Sequence, residues 1–146
     1  MLGQQDQDLV RAIQVANGDQ IWVFALLELG ELDEARERVR RIAVRGLAGR
    51  YAYEANDCVV MLAGLAEAEA DTATATELVL SSGTGSGWGV IVADNLAMRL
   101  EVTEQRHRRI IESIRSRNTS HNTQQAAQAL RKEIERRGWT PAESAR

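Results

Sequence analysis

The chain has 146 residues, 18 basic and 21 acidic side chains and a net charge of −3, which fits one domain and argues against a surface built as a whole for nucleic acid or an anionic membrane. A single cysteine, Cys58, excludes an internal disulfide framework and a cysteine metal cluster. The opening MLGQQDQDLV has neither the basic flank nor the apolar run of a signal peptide, and no apolar window approaches a membrane span, so a cytoplasmic protein is expected.

Leu9, Val10, Ile13 and Ala16 recur at helical spacing and predict a first helix over Asp6–Ala16, with a turn or a bend at Asn17-Gly18. DQIWVFALLEL follows. It is apolar nearly all round, with Ile21, Trp22, Ala25, Leu26 and Leu29 on one side, and a helix of that kind is expected to be surrounded by others. Gly30 ends it, because glycine takes the left-handed conformation at little cost. ELDEARERVRRIAVRGL is the next helix. Leu32, Ala35, Val39, Ile42 and Ala43 form its inner stripe, and Glu34–Arg38 and Glu37–Arg41 are spaced as i,i+4 pairs.

A long helix is predicted from Arg50 to Ala70, with a seam of Ala52, Ala55, Val59, Leu62, Ala63 and Ala66. Asp71 or Thr72 caps TATATELVLSS. Its alternation also fits a strand, but no partner strand exists elsewhere, so helix is the reading. After the glycine-rich SGTGSG, a helical pattern returns through Trp88, Ile91, Val92, Asn95, Leu96 and Arg99. Thr103 caps EQRHRRIIESIRSR, whose apolar stripe is the thin set Ile110, Ile111 and Ile114. A last helix, Ser120–Arg137, is capped by Thr119 or Ser120, stopped by Gly138 and barred from continuing by Pro141. It is expected to cover an apolar end of the array or to pair with another subunit. The chain thus reads as one domain over residues 1–140 and a loose tail at 141–146.

Two junctions superimpose at an offset of 40 residues: Ala35 falls on Ala75 and Val39 on Val79. ALLELGELDEARERV and MLAGLAEAEADTATATELV share a small-residue helix, an acidic junction and a second helix with alanine at a tight position. Stacked helical hairpins account for this pattern; chance likeness between alanine-rich hairpins is the plainer alternative. ALLELGELDEARERVRRIA resembles the tetratricopeptide repeat. LAGLAEAEADTATATELVLSS is similar to the longer repeats of large bacterial regulators, the LuxR-type and adenylate-cyclase-linked proteins that carry an ATPase module. The resemblance spans about Ile21 to Val102. Ala70 stands where the junction usually has glycine, and the third unit, Leu100 to His107, departs from the pattern. What the resemblance implies is an all-α, right-handed array of antiparallel hairpins with a C-terminal helix. It also implies a role in binding another protein, its own subunit or a small effector, within a transcription-regulation system. The associated ATPase's GxxxxGK[ST] signature is lacking.

No catalytic constellation, cofactor motif or metal motif emerges. GTGSGWG resembles a phosphate loop in composition only; it lacks a preceding strand and a lysine, so a connector is the reading, with anion contact by Gly85, Ser86 and Gly87 the alternative. His107 and His121 form no metal motif, and Cys58 reads as a small buried residue rather than as the nucleophile of a Cys58–His107 pair. Arg50, Tyr53, Glu54 and Asp57 share one flank of a helix and form the best binding-site candidate, bordering a groove between hairpins; packing between hairpins is the alternative. Arg106, Arg108, Arg109, Arg115 and Arg117 form a basic cluster that suits phosphate or a partner protein, or simply a solvated face. A non-catalytic interaction or regulatory module is the leading expectation. A small helical enzyme and a nucleic-acid-binding regulator using the Arg106–Arg117 segment are the alternatives.

Overall fold

In the computed structural model the described residues are 3–4, 18–47, 52–82, 87–115 and 119–139. They contain helices and turns and no strand. Residues 18–28 are helical (α1). They are followed by α2 (Leu32–Leu47), α3 (Ala52–Ala68), α4 (Thr72–Ser81), α5 (Gly87–Arg99), α6 (Thr103–Arg115) and α7 (Thr119–Arg136). The helix expected over Asp6–Ala16, Arg50, the loop at 83–86, Arg117 and the tail at 141–146 lie outside the described residues. Gly18 is helical, so no turn forms at that residue.

One junction repeats four times. At Gly30, Ala70, Glu101 and Gly138 the backbone turns left-handed, with φ of 77°, 63°, 60° and 73°. Each time that residue's N–H reaches back three residues, and the next residue's N–H reaches back five. Gly30 donates to the Leu27 carbonyl at 3.1 Å and Glu31 to Leu26 at 2.9 Å. Ala70 and Asp71 do the same to Glu67 and Ala66, Glu101 and Val102 to Met98 and Ala97, and Gly138 and Trp139 to Glu135 and Ile134. This pairing satisfies carbonyls that a helix end otherwise leaves open. After the first three junctions the next helix starts at once, so α1/α2, α3/α4 and α5/α6 are hairpins built to one plan. Ala35, Ala75 and Arg106 hold the same place after their junctions, each donating its N–H four residues back at 3.0 Å.

The packing extends beyond a row of neighbouring pairs. α3 packs against α2, α4, α5 and α7. Every residue from Ala55 to Ala66 is buried, and burying each larger apolar side chain is worth about 1.5–3 kcal/mol. The fully enclosed helix is therefore α3. The helix expected to be enclosed, α1, buries Gln20, Val23 and Leu26 but leaves Ile21, Trp22, Ala25 and Leu29 exposed. Its inner face is turned from the one that Ile21, Trp22 and Ala25 suggest. Arg38 does not take up its expected pairing with Glu34; it lies over the Trp22 ring, 4.9 Å from the centroid.

α7 folds back rather than covering an end of the array. Ala126, Leu130 and Ile134 are buried, and α7 packs on α2, α3, α4 and α6. Its C-terminal end locks the α3–α4 turn. Glu69 accepts from Arg137 at 2.5 and 3.1 Å and from Arg36 at 2.9 Å. Burial pushes the Glu69 carboxyl up, but the hydrogen bonds and charges of Arg137 and Arg36 outweigh that and hold it below its ordinary range. α4 begins as expected: Asp71 caps it by accepting from the Thr74 N–H at 3.2 Å.

Candidate interaction groove

Because the hairpins repeat, the first helices α1, α3 and α5 present equivalent positions to one side. Counting back from the junctions, Phe24, Gly64 and Asn95 correspond, as do Leu27, Glu67 and Met98, and Glu28, Ala68 and Arg99. All of these but Met98 line a cavity of about 500 Å³, together with Ile91 and Val92. That size falls within the roughly 300–1,000 Å³ range of ligand-binding clefts.

Gly64 shapes the floor. A Cβ there would lie 2.5 Å from Phe24 Cε1 and 3.5 Å from Leu27 Cδ1, so the missing side chain is what lets the Phe24 ring lie against α3. Helix interiors disfavour glycine by about 1 kcal/mol relative to alanine, and the close approach of Phe24 gives this one a use. Ile91 remains 57% exposed. The rim is polar. Arg99 grips Glu67 with two nitrogens at 2.9–3.2 Å. The Glu67 hydrogen bond, opposed by burial and aided by the charges of Glu67 and Glu28, raises the Arg99 pKa. Glu28 is exposed and forms no hydrogen bond or salt bridge with the described residues. The cleft thus combines an apolar floor, one satisfied ion pair and one available carboxylate.

The residues singled out from sequence lie elsewhere. Tyr53 and Glu54 are in α3, but their side chains, like Arg50, fall outside the described residues. Asp57 is buried, so it occupies the interior and not an accessible flank. The basic cluster divides. Arg106 is 1% exposed. Its Nε donates to Asp94 at 3.1 Å, and its Nη1 to the Ser82 carbonyl at 2.7 Å, the Ser82 hydroxyl at 2.9 Å and the Val79 carbonyl at 3.2 Å. It is an internal strut rather than a surface cation. Arg108 pairs with Glu104 at 2.5 Å. Arg109 reaches the Leu80 carbonyl at 3.4 Å, and Arg115 is exposed. A phosphate-binding helix face loses its first arginine in this arrangement. The stripe is also only partly as expected: Ile110 is half-buried between inward-facing Arg106 and Ser113, whereas Ile111 and Ile114 are exposed.

The α5 pattern holds in part: Leu96 is buried as expected, together with Gly89, Ala93 and Ala97, and Val92 is half-buried, while Ile91, Asn95 and Arg99 are exposed and line the groove with Val92. Cys58 is buried and its thiol donates to the Ile42 carbonyl at 3.6 Å, while His107 is exposed. Among the described residues no cluster of histidine, cysteine and carboxylates is arranged to hold a metal ion, and no helix is long and apolar enough to cross a membrane. A second cavity, about 240 Å³, opens between α4 and α7 and is bridged by Lys132 and Glu77 at 3.1 Å.

The groove was illegible in the sequence because it joins residues from three helices that lie far apart along the chain. One signal was present: Gly64, a lone glycine inside an unbroken apolar helical run. Against known proteins, the chain matches no family model, no curated protein and no solved structure.

Proposed function

We propose that this chain is a non-catalytic recognition module of tetratricopeptide-like hairpins, serving a regulatory assembly in the cytoplasm. It binds a segment of another protein in the α1/α3/α5 groove. The observation that carries this reading is the groove itself: apolar Phe24, Leu27, Ile91 and Val92 beside the available Glu28 carboxylate. Such a cleft suits a segment with an apolar anchor next to a lysine or arginine. The anchor takes exposed Ile91 and its neighbours out of water, and the cation meets Glu28. The Arg99–Glu67 pair already satisfies its own charges, so it shapes the rim without demanding a charged partner.

Site-specific crosslinking tests this reading. A photoreactive side chain replacing Ile91 is expected to capture a protein in the native cytoplasm, and the crosslink should map to a segment with an apolar residue flanked by a basic one. The same probe at Gln128, beside the α4–α7 cavity, should not capture it. Equal capture from both positions would contradict the groove assignment.

A further inference from the structure

Helices that cross inside a folded chain ordinarily meet through apolar stripes packed without gaps. The crossing of α4 and α7 is different. Thr74, Leu78 and Ser81 of α4 face Gln125, Gln128 and Ala129 of α7 across an open cleft of about 240 Å³. Leu78 and Ala129 give it an apolar floor, and hydroxyls, amides and charges surround them. Three cations and two carboxylates line the cleft: Arg109, Lys132 and Arg136, with Glu77 and Glu133. Glu77 holds Lys132 at 3.1 Å, and Glu133, 3% exposed, holds Arg136 and Arg137. Both carboxylates are thus occupied. Arg109, which reaches in from α6, forms no salt bridge with the described residues and touches the Leu80 carbonyl only at 3.4 Å. The cleft therefore carries one positive charge more than its own acids neutralise.

We propose that the α4–α7 cleft binds a small monocarboxylate with a compact apolar body. The carboxylate meets the Arg109 guanidinium, whose fork of N–H donors matches two carboxylate oxygens. The body covers Leu78 and Ala129 and takes them out of water. The Ser81 hydroxyl already donates to the backbone carbonyl of Glu77 at 2.8 Å, so its oxygen is left to accept from a hydroxyl or N–H on that body. The volume lies below the roughly 300–1,000 Å³ of clefts that hold drug-sized ligands, so the occupant is smaller than those. A dianion is disfavoured, because the charges of Lys132 and Arg136 are already balanced and a second negative charge would face Glu77 and Glu133 without a cation of its own. An amine is disfavoured because both acids have partners. The site is separate from the α1/α3/α5 groove and does not depend on what occupies it.

An amide NMR titration of the full chain tests this, with benzoate as the probe, benzyl alcohol as its neutral counterpart and phenyl phosphate as the dianion. Benzoate should shift the amide signals of Leu78, Ser81 and Ala129 saturably, and benzyl alcohol should bind about tenfold more weakly or worse. Arg109→Gln should weaken benzoate binding about tenfold or more with helix content unchanged, because the side chain is exposed. Arg115→Gln, at an exposed arginine of the same helix outside the cleft, should bind benzoate as the wild type does. The proposal is overturned by cleft amides that benzoate leaves unmoved, by equal affinity for benzyl alcohol, by tighter binding of phenyl phosphate than of benzoate, or by an unchanged benzoate affinity in Arg109→Gln.

Discussion

The second and third hairpins place the same backbone around opposite chemistry. In the second, the positions concerned are Ala63 and Ala75, both fully buried. In the third, the equivalent residues are Asp94 and Arg106, joined by a 3.1 Å ion pair. Small residues let helices close by offering nothing to clash. A buried guanidinium holds the same junction because carbonyls of Val79 and Ser82, a hydroxyl and a carboxylate take up the donors of its Nε and Nη1, while Nη2 stays buried without a hydrogen-bond partner among the described residues. The turn geometry is common to both, with φ of 63° at Ala70 and 60° at Glu101. Backbone hydrogen bonds therefore carry the repeat, and side chains fill it in whatever way can be satisfied locally.

The largest effect should come from moving the third hairpin's solution into the second. Ala75→Arg buries a charge with no acid at Ala63 to meet it, and should cost more than about 4 kcal/mol, leaving little folded protein by circular dichroism. A stable Ala75→Arg variant would show that the two crossings are interchangeable. The reverse change, Arg106→Ala, should cost about 3–5 kcal/mol in urea unfolding, because it opens a void and strands the polar groups around Ser82. Arg106→Met, which fills the void but still leaves the Ser82 and Val79 carbonyls without that donor, should recover only part of that loss.

The turns differ as well. Glu69 in the second is clamped by Arg36 and Arg137, while the third has Leu100 at the equivalent place. Glu69→Gln should cost about 1–3 kcal/mol at neutral pH. Its pH dependence has a fixed sign. The folded carboxyl titrates below its ordinary value of 4.5, so its contribution is full above the unfolded pKa and fades as pH falls through the folded one. The difference in stability between wild type and Glu69→Gln should therefore shrink on acidification below about pH 4.5; a constant difference would remove the clamp's electrostatic role. The smallest effects concern the junction residues. Ala70→Gly should stabilise by about 0.5–1 kcal/mol and Gly30→Ala should destabilise by about 1 kcal/mol, as left-handed backbone favours glycine. Thermal unfolding of the two variants checks both signs.

The hairpin plan was readable from sequence where the side chains repeat. Gly30 marked one junction, and Ala35 with Ala75 fixed the 40-residue offset. The third hairpin was obscured because arginine stands where alanine does in the others, and an arginine in a polar stretch reads as surface. Its burial depends on Ser82 and Asp94, 24 and 12 residues away, which helical periodicity cannot bring together. The same limit misplaced much of the apolar faces of α1 and α6: isoleucines and a tryptophan count as core by type, yet Ile21, Trp22, Ile111 and Ile114 are exposed. Of the proposed site, only Gly64 left a local trace.

The central claim is that the α1/α3/α5 groove binds a partner segment, and calorimetric titration with a peptide carrying the crosslinked sequence tests it most directly. Ile91→Asp should weaken binding about tenfold or more while the unfolding midpoint is unchanged, and Ile114→Asp, on the far end of the array, should bind as the wild type does. Unaltered affinity in Ile91→Asp, or an equal loss in Ile114→Asp, would contradict it.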